Sequence, residues 1–233
     1  MKQITIATYN IRHGHDVNLD WNKIAEVVCA SGADIIGFQE IDMHTNRIGG
    51  KDTVSGLVTA TGLPYCLFVP AMDFDGGQYG TAILSRFPIT SYTVHPLNSG
   101  CYEPRSFGCI TVALHEKDAL YFLNTHLSYE SQEQQDVQFA EIFAWMEKHL
   151  NDGIPTILTG DFNTENFHAF HAFEAAGFAL INNRDHTYKT FRNPPAAIDN
   201  IVYRKSRLKP MEFGMIDSNR SDHNLLWCRF ACP

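Results

Sequence analysis

Residues 4–40 read ITIATYNIRHGHDVNLDWNKIAEVVCASGADIIGFQE. The segment holds one complete β-α-β unit. Residues 4–9 alternate in the period-two pattern of a strand. Asp20 is placed to cap a helix over 21–30, with Ile24, Val27 and Val28 on one face and Gly32 just past its end. Residues 33–38 are a short apolar run, most simply a buried strand. The unit recurs at 120–124, a helix over 132–150 that repeats Phe139, Phe143, Met146 and Leu150, and a strand over 154–158. Asn10 and Glu40 follow the strands of the first unit; His126 and Asp161 follow those of the second. Strand ends of such units share one sheet edge, where sites in α/β proteins usually form.

Working outward, 54–61 and 167–176 read as helices, and 81–84, 89–95, 107–114, 198–203, 208–213 and 225–230 as strands. Alternating strands and helices argue for an α/β layered fold, and the extra consecutive strands argue for two sheets. The stretches 49–52, 73–79 and 192–195 read as surface loops. No linker or low-complexity tract interrupts the 233 residues, so 1–233 is expected to be one domain. With 44% hydrophobic and 19% charged residues, the chain has the balance of a globular protein with a sizeable core.

Eighteen Lys and Arg against 26 Asp and Glu give a net charge of −8, opposite to that of a protein binding nucleic acid through a basic surface. No apolar run approaches the ~20 residues of a membrane span, and the opening MKQITIATYN is too polar for a signal peptide. The six cysteines form no CxxC pair, which disfavours a zinc ribbon or thioredoxin site. Buried, reduced thiols and a cytoplasmic location are the expectation.

One set of polar residues stands against strongly apolar runs: Asn10, Glu40, His126, Asp161, Asn163, Asp199, Asp222 and His223. Each alone has a structural explanation. Together, carboxylates gathered at one sheet edge repel one another without a cation. Carboxylate and amide oxygens suit Mg²⁺ or Mn²⁺, and histidines beside acids supply acid–base groups near neutral pH.

At these residues the chain resembles the endonuclease/exonuclease/phosphatase superfamily, metal-dependent phosphoesterases that include pancreatic-type deoxyribonucleases, neutral sphingomyelinases and inositol polyphosphate 5-phosphatases. The matching segments, in the family's order, are Thr8-Tyr9-Asn10-Ile11, Phe38-Gln39-Glu40, the run from Tyr79 to Arg86, Glu103-Pro104-Arg105, Asn124-Thr125-His126-Leu127, Gly160-Asp161-Phe162-Asn163, Ile198-Asp199-Asn200-Ile201 and Ser221-Asp222-His223. The resemblance implies a DNase I-like four-layer α/β sandwich, two mixed sheets face to face with helices outside. It implies Glu40 as chief ligand of Mg²⁺ or Mn²⁺, helped by Asn10 and Asp222. Asp161 would orient or deprotonate the attacking water, and Asn163 would hold that water or a phosphate oxygen. His223, paired with Asp199, would donate to the phosphate, with His126 on the other side and Arg105 at a phosphoryl oxygen. Two positions depart from close members: Thr81 stands where Asn is common, and Gln78 where some carry an acid able to support His126. Arg105 has a rival part as structural partner of Glu103.

Smaller signals stay open at this stage. Arg12, His13, His15 and Asp16 either line the pocket or form a solvated loop, and Arg47 and Lys51 could meet a substrate head group. The Gly76–Gly80 run reads as a strand-entry turn, since no helix follows it. His168 and His171 have metal-like spacing but no nearby acid and read as surface residues; Phe167, Phe170 and Phe173 read as helix core. The leading expectation is a monomeric hydrolase of a small phosphodiester or phosphomonoester, a lipid head group included; 68–74 is the nearest thing to an exposed apolar hairpin. The alternatives are a nuclease acting on short or single-stranded nucleic acid and a non-catalytic binding protein on the same fold.

Overall fold

The structure, a computed structural model, describes residues 2–115, 118–150 and 152–232. The first β-α-β unit is strand β1 (Lys2–Asn10), helix α1 (Trp21–Ser31) and strand β2 (Ile35–Met43). Asp20 caps α1 by accepting from the Asn22 amide at 3.2 Å. Helix α2 (Thr53–Thr61) precedes β3 (Tyr65–Phe74), β4 (Gly77–Ser85), β5 (Ile89–Leu97) and β6 (Arg105–His115). The second unit is β7 (Asp118–His126), α3 (Gln132–His149) and β8 (Thr156–Asp161). Helix α4 (His171–Ala175), β9 (Phe178–Leu180), the small hairpin β10 (Phe191–Arg192) and β11 (Pro195–Ala196), β12 (Asp199–Arg204), β13 (Lys209–Ile216) and β14 (Leu225–Cys232) complete the described chain.

Two six-stranded mixed sheets result, in the orders β13-β14-β1-β2-β4-β3 and β5-β6-β7-β8-β12-β9. The two units supply the parallel pair of each sheet, β1–β2 in one and β7–β8 in the other. Their central strands are buried on both faces, which is why they read as continuous apolar runs. Neighbouring residues part to opposite sides: Ile35, Phe122, Ile157 and Ile201 join the core between the sheets. Ile36 turns to the layer under α1 and α2, and Leu123, Leu158 and Val202 to the layer under α3 and α4. Each fully buried side chain of this size contributes roughly 1.5–3 kcal/mol.

Toward the strand ends that carry the polar set, the inter-sheet core turns polar. Asn124 on β7 donates to the backbone carbonyls of Phe38 (2.9 Å) and Ala82 (3.2 Å) in the facing sheet. Its Oδ1 accepts from Gln39 (2.7 Å) and Thr159 (3.1 Å). Gly37 makes this approach possible, because a Cβ there would lie 2.3 Å from Asn124 Oδ1.

Residues 73–79, expected as a loop, are instead strand ends around a two-residue turn. Asp75 (φ 47°) and Gly76 (φ 80°) are both left-handed, as a tight hairpin requires, and Asp73 pairs with Gln78. Residues 192–195 likewise belong to the β10–β11 hairpin. The helix expected over 167–176 is a tighter 3-10 turn, Phe167–Phe170, running into α4. All six cysteines are free; Cys109, Cys228 and Cys232 are buried, whereas Cys29, Cys66 and Cys101 are exposed.

Candidate active site

β7, β8 and β12 are neighbours whose ends lie in register, His126 beside Asp161 and Asp161 beside Asp199. His223, just before β14, bridges to Phe191 of the small hairpin, whose ring lies 5.0 Å from the imidazole. From the facing sheet come Asn10 at the end of β1 and Glu40 within β2. The β2–β4 pairing shifts register between Phe38 and Ile41, and Glu40 has φ 57°. This is a bulge, a device that re-aims a side chain.

Asp161 is the hub. Its Oδ2 accepts from Asn10 Nδ2 at 3.0 Å. The Nε2 atoms of His126 and His223 each lie 3.6 Å from the same oxygen. Its Oδ1 accepts from the Asn163 amide at 3.0 Å. Asn10 Nδ2 also donates to Glu40 Oε1 at 3.1 Å, so one amide links the two carboxylates. The Asn10 oxygen accepts from the Arg12 amide at 3.0 Å.

The two histidines carry opposite charge states. His223 Nδ1 lies 2.8 Å from Asp199 Oδ2. Burial pushes this imidazole down, but Asp199 and Asp161 outweigh it and raise it to about 10. His126 is pushed well below its ordinary value, first by burial and then by the Arg105 guanidinium. Arg105 Nη1 lies 3.0 Å from His126 Nδ1. A guanidinium only donates, so Nδ1 accepts and the ring proton sits on Nε2, facing Asp161. Burial and the Asp199 charge raise Asp161 to about 7. Burial pushes Glu40 up too, but His13, Asn10 and the charged His223 prevail and bring it down to about 2.

Two further residues serve differently from expectation. Arg105, expected at a phosphoryl oxygen, has its side chain buried and directed to Glu103 (3.1 Å) and His126. Both the Glu103 pairing and a supporting place for His126 are realised, and Gln78 leaves that support to the arginine. Asn163 (φ 53°) donates its side chain to the Leu127 carbonyl at 2.9 Å and so is anchored to the chain after His126. Asp222 reaches the rim: its Oδ2 lies 3.4 Å from Arg12 Nε. Arg47 is bound to Asp42 at 2.5 and 2.7 Å and lies over the Phe74 ring, so it is committed within the protein. The rings of His168 and His171 lie 4.7 Å apart, with both residues exposed.

Sequence reasoning left His13 undecided, and it gave no part to Gln39 or Asn124. His13 Nδ1 lies 3.5 Å from Glu40 Oε2. The signal for Asn124 was a lone amide inside an apolar strand, where burial demands partners. Asp161, Asp199 and His223 bring ligand-type atoms within 4.8 Å of one another, but a charged His223 has no lone pair to give a cation; Glu40 presents a carboxylate at the more open side.

These acids and histidines gather at strand ends between two mixed sheets. A model of the endonuclease/exonuclease/phosphatase family matches residues 7–223, and the chain belongs to that family. It is 31% identical over 112 residues to the uncharacterized Escherichia coli K12 protein YbhP, an alignment covering 47% of this chain and 44% of YbhP. The chain thus matches less than half the length of that curated relative. Among solved structures it resembles an endonuclease/exonuclease/phosphatase from Beutenbergia cavernae (TM-score 0.83, 18% identity, 100% of this chain and 72% of that one). It also resembles the mannosyl-6-phosphatase Bt3783 of Bacteroides thetaiotaomicron (TM-score 0.74, 19% identity, 98% and 99% covered). At these identities the likeness establishes the fold. Among the described residues no helix is long and apolar enough to cross a membrane.

Proposed function

We propose that the chain is a Mg²⁺- or Mn²⁺-dependent phosphoesterase acting on a small phosphodiester or phosphomonoester, a lipid head group included. The observation that carries this reading is the Asp161 Oδ2 hub, held by Asn10 and faced by two imidazole Nε2 atoms in opposite charge states. Glu40, with Asp222 at the rim, would hold the ion, their hard oxygens being the donors such ions take. When bound, the ion would neutralise charge on the phosphoryl oxygens.

The chain's own residues do the rest. Asp161, raised toward neutrality, takes the proton of the attacking water, where a base is most effective. His223, kept charged by Asp199, donates to a phosphoryl oxygen as charge builds there. His126 donates from Nε2 while remaining neutral, because Arg105 occupies Nδ1. Asn163 orients Asp161 through its backbone amide. The −8 net charge supports a small substrate over a long nucleic-acid groove.

The test is turnover of a phosphoester panel with Mg²⁺, with Mn²⁺ and with EDTA. Bis-p-nitrophenyl phosphate, short oligonucleotides and phospholipid head groups are its main members. Metal-dependent hydrolysis of a small ester, abolished by EDTA, is expected. Turnover confined to oligonucleotides would transfer the site to nucleic acid, and no turnover by folded protein would leave a binding protein.

A further inference from the structure

We propose that His13 is a ligand of the divalent ion at Glu40, making the site a mixed nitrogen–oxygen centre that takes Mn²⁺ in preference to Mg²⁺. The proposal rests on the reading of Glu40 as the carboxylate that holds the ion.

Three consecutive residues after Asn10 and Ile11 adopt left-handed backbone: Arg12 at φ 45°, His13 at φ 44° and Gly14 at φ 76°. For Arg12 and His13 this costs roughly 1–2 kcal/mol each. Such strain persists where a site uses it. Here it turns the chain so that His13 Nδ1 stands 3.5 Å from Glu40 Oε2. Glu40, itself at φ 57° in the β2 bulge, meets it from the other side.

The contact is incomplete as a hydrogen bond. His13 Nδ1 is buried and has no hydrogen-bond partner, although leaving a buried polar atom unpaired costs roughly 1–3 kcal/mol. Glu40 Oε1 is occupied by Asn10 Nδ2, which leaves Oε2 as the oxygen facing the imidazole. A nitrogen and a carboxylate oxygen at this separation suit adjacent positions on one cation, since donors ~2.1 Å from an ion at right angles lie ~3 Å apart. His15, on the same loop, shows the contrast: its side chain is 63% exposed, so one imidazole is brought inward and the other left in water. Mg²⁺ prefers oxygen donors alone, whereas imidazole suits the transition metals.

The test is pulsed electron paramagnetic resonance of Mn²⁺ bound to the full chain without substrate. Nitrogen modulation from a coordinated imidazole is expected, and it should change to the ¹⁵N pattern in protein labelled at histidine. His13→Asn, which keeps a residue tolerant of left-handed backbone, should bind Mn²⁺ at least about tenfold more weakly, lose the modulation and bring Mn²⁺ and Mg²⁺ affinities closer together. Glu40-dependent Mn²⁺ binding without nitrogen modulation in the wild type would overturn the proposal and leave the phosphoesterase reading standing. Modulation unchanged in His13→Asn would overturn it as well, assigning the nitrogen to another histidine. Binding and modulation that survive Glu40→Gln would remove both this proposal and the metal role of Glu40.

Discussion

The two sides of the cleft differ in how much water they meet. Asp161, Asp199 and His223 expose 5% or less of their side chains, and His126 exposes 8%. Opposite them, Glu40 exposes 24%, Asp222 32% and Arg12 41%. The dry side consists of groups whose charge state and direction are fixed by neighbours: Asp199 behind His223, Arg105 behind His126, Asn163 behind Asp161. The open side consists of groups whose contacts are partly solvated. Electrostatic effects are strongest where water is excluded. Under the proposed function, proton transfer and transition-state donation would fall to the dry side, and ion and substrate recruitment to the open side.

The largest expected effect falls on the dry side. His223→Ala and Asp161→Asn should each lower kcat at least about 100-fold, the scale of a general acid or base, with circular dichroism confirming the fold. Asp199→Asn should lose less, and combining it with His223→Ala should add little, because Asp199 acts through the imidazole. Turnover of folded His223→Ala near the wild-type rate would break the comparison at its strongest point.

The polar bridge beneath both sides comes next. Asn124→Ala would leave the Phe38 and Ala82 carbonyls without this donor, and Gln39 and Thr159 without their shared acceptor. The expected loss is about 3 kcal/mol, and thermal unfolding should fall by roughly 10 °C for a chain of this size. A melting temperature within a degree or two of wild type would show that the two sheets need no polar bridge here.

Why this bridge was not legible, while much around it was, has a physical reason. The two β-α-β units show in the sequence because strand and helix periods are local, and Asn10, Glu40, His126 and Asp161 show because polar groups end apolar runs. What Asn124 touches depends on the facing sheet, 86 residues away in sequence for Phe38, and no local pattern encodes that. The Glu40 bulge and the left-handed Arg12 and His13 are invisible for the same reason: they are backbone solutions imposed by the assembled site. The Asp75-Gly76 turn is different. Asp-Gly between two strand-like runs is a strong local hairpin signal, and the polar character of 73–79 hid it.

The third prediction sharpens the charge assignment. In metal-free protein, ¹⁵N-imidazole NMR should show His223 still charged at pH 8, losing its proton only near 10, whereas His126 should stay neutral at pH 6. Linkage follows from the sign of the first shift. His223 is raised on folding from an ordinary 6.5, so its charge contributes stability fully below about 6.5, and the contribution fades as pH rises through about 10. Asp199→Asn should bring the His223 titration down. Two histidines titrating together near 6.5 would erase the difference between the donors.

The smallest effect is expected at Arg12, on the open side. Its side chain reaches Asp16 and Asp222 at 3.4 Å each and is partly solvated. Exposed pairs of this kind contribute about 0.2–1 kcal/mol. The backbone amide of Arg12, not its guanidinium, is what holds the Asn10 oxygen. Arg12→Asn keeps that amide, tolerates the left-handed backbone and removes only the charge. Its kcat/KM should therefore stay within about fivefold of wild type, since 1 kcal/mol corresponds to about that factor. The residual difference should shrink as salt is raised, because exposed charges are screened over about 8 Å at physiological ionic strength. The measurement is kcat/KM for the best panel substrate at low and at physiological salt. A loss of 100-fold that salt leaves untouched would mean that the Arg12 guanidinium is held as firmly as His223. The open side would then be organised for chemistry as fully as the dry one.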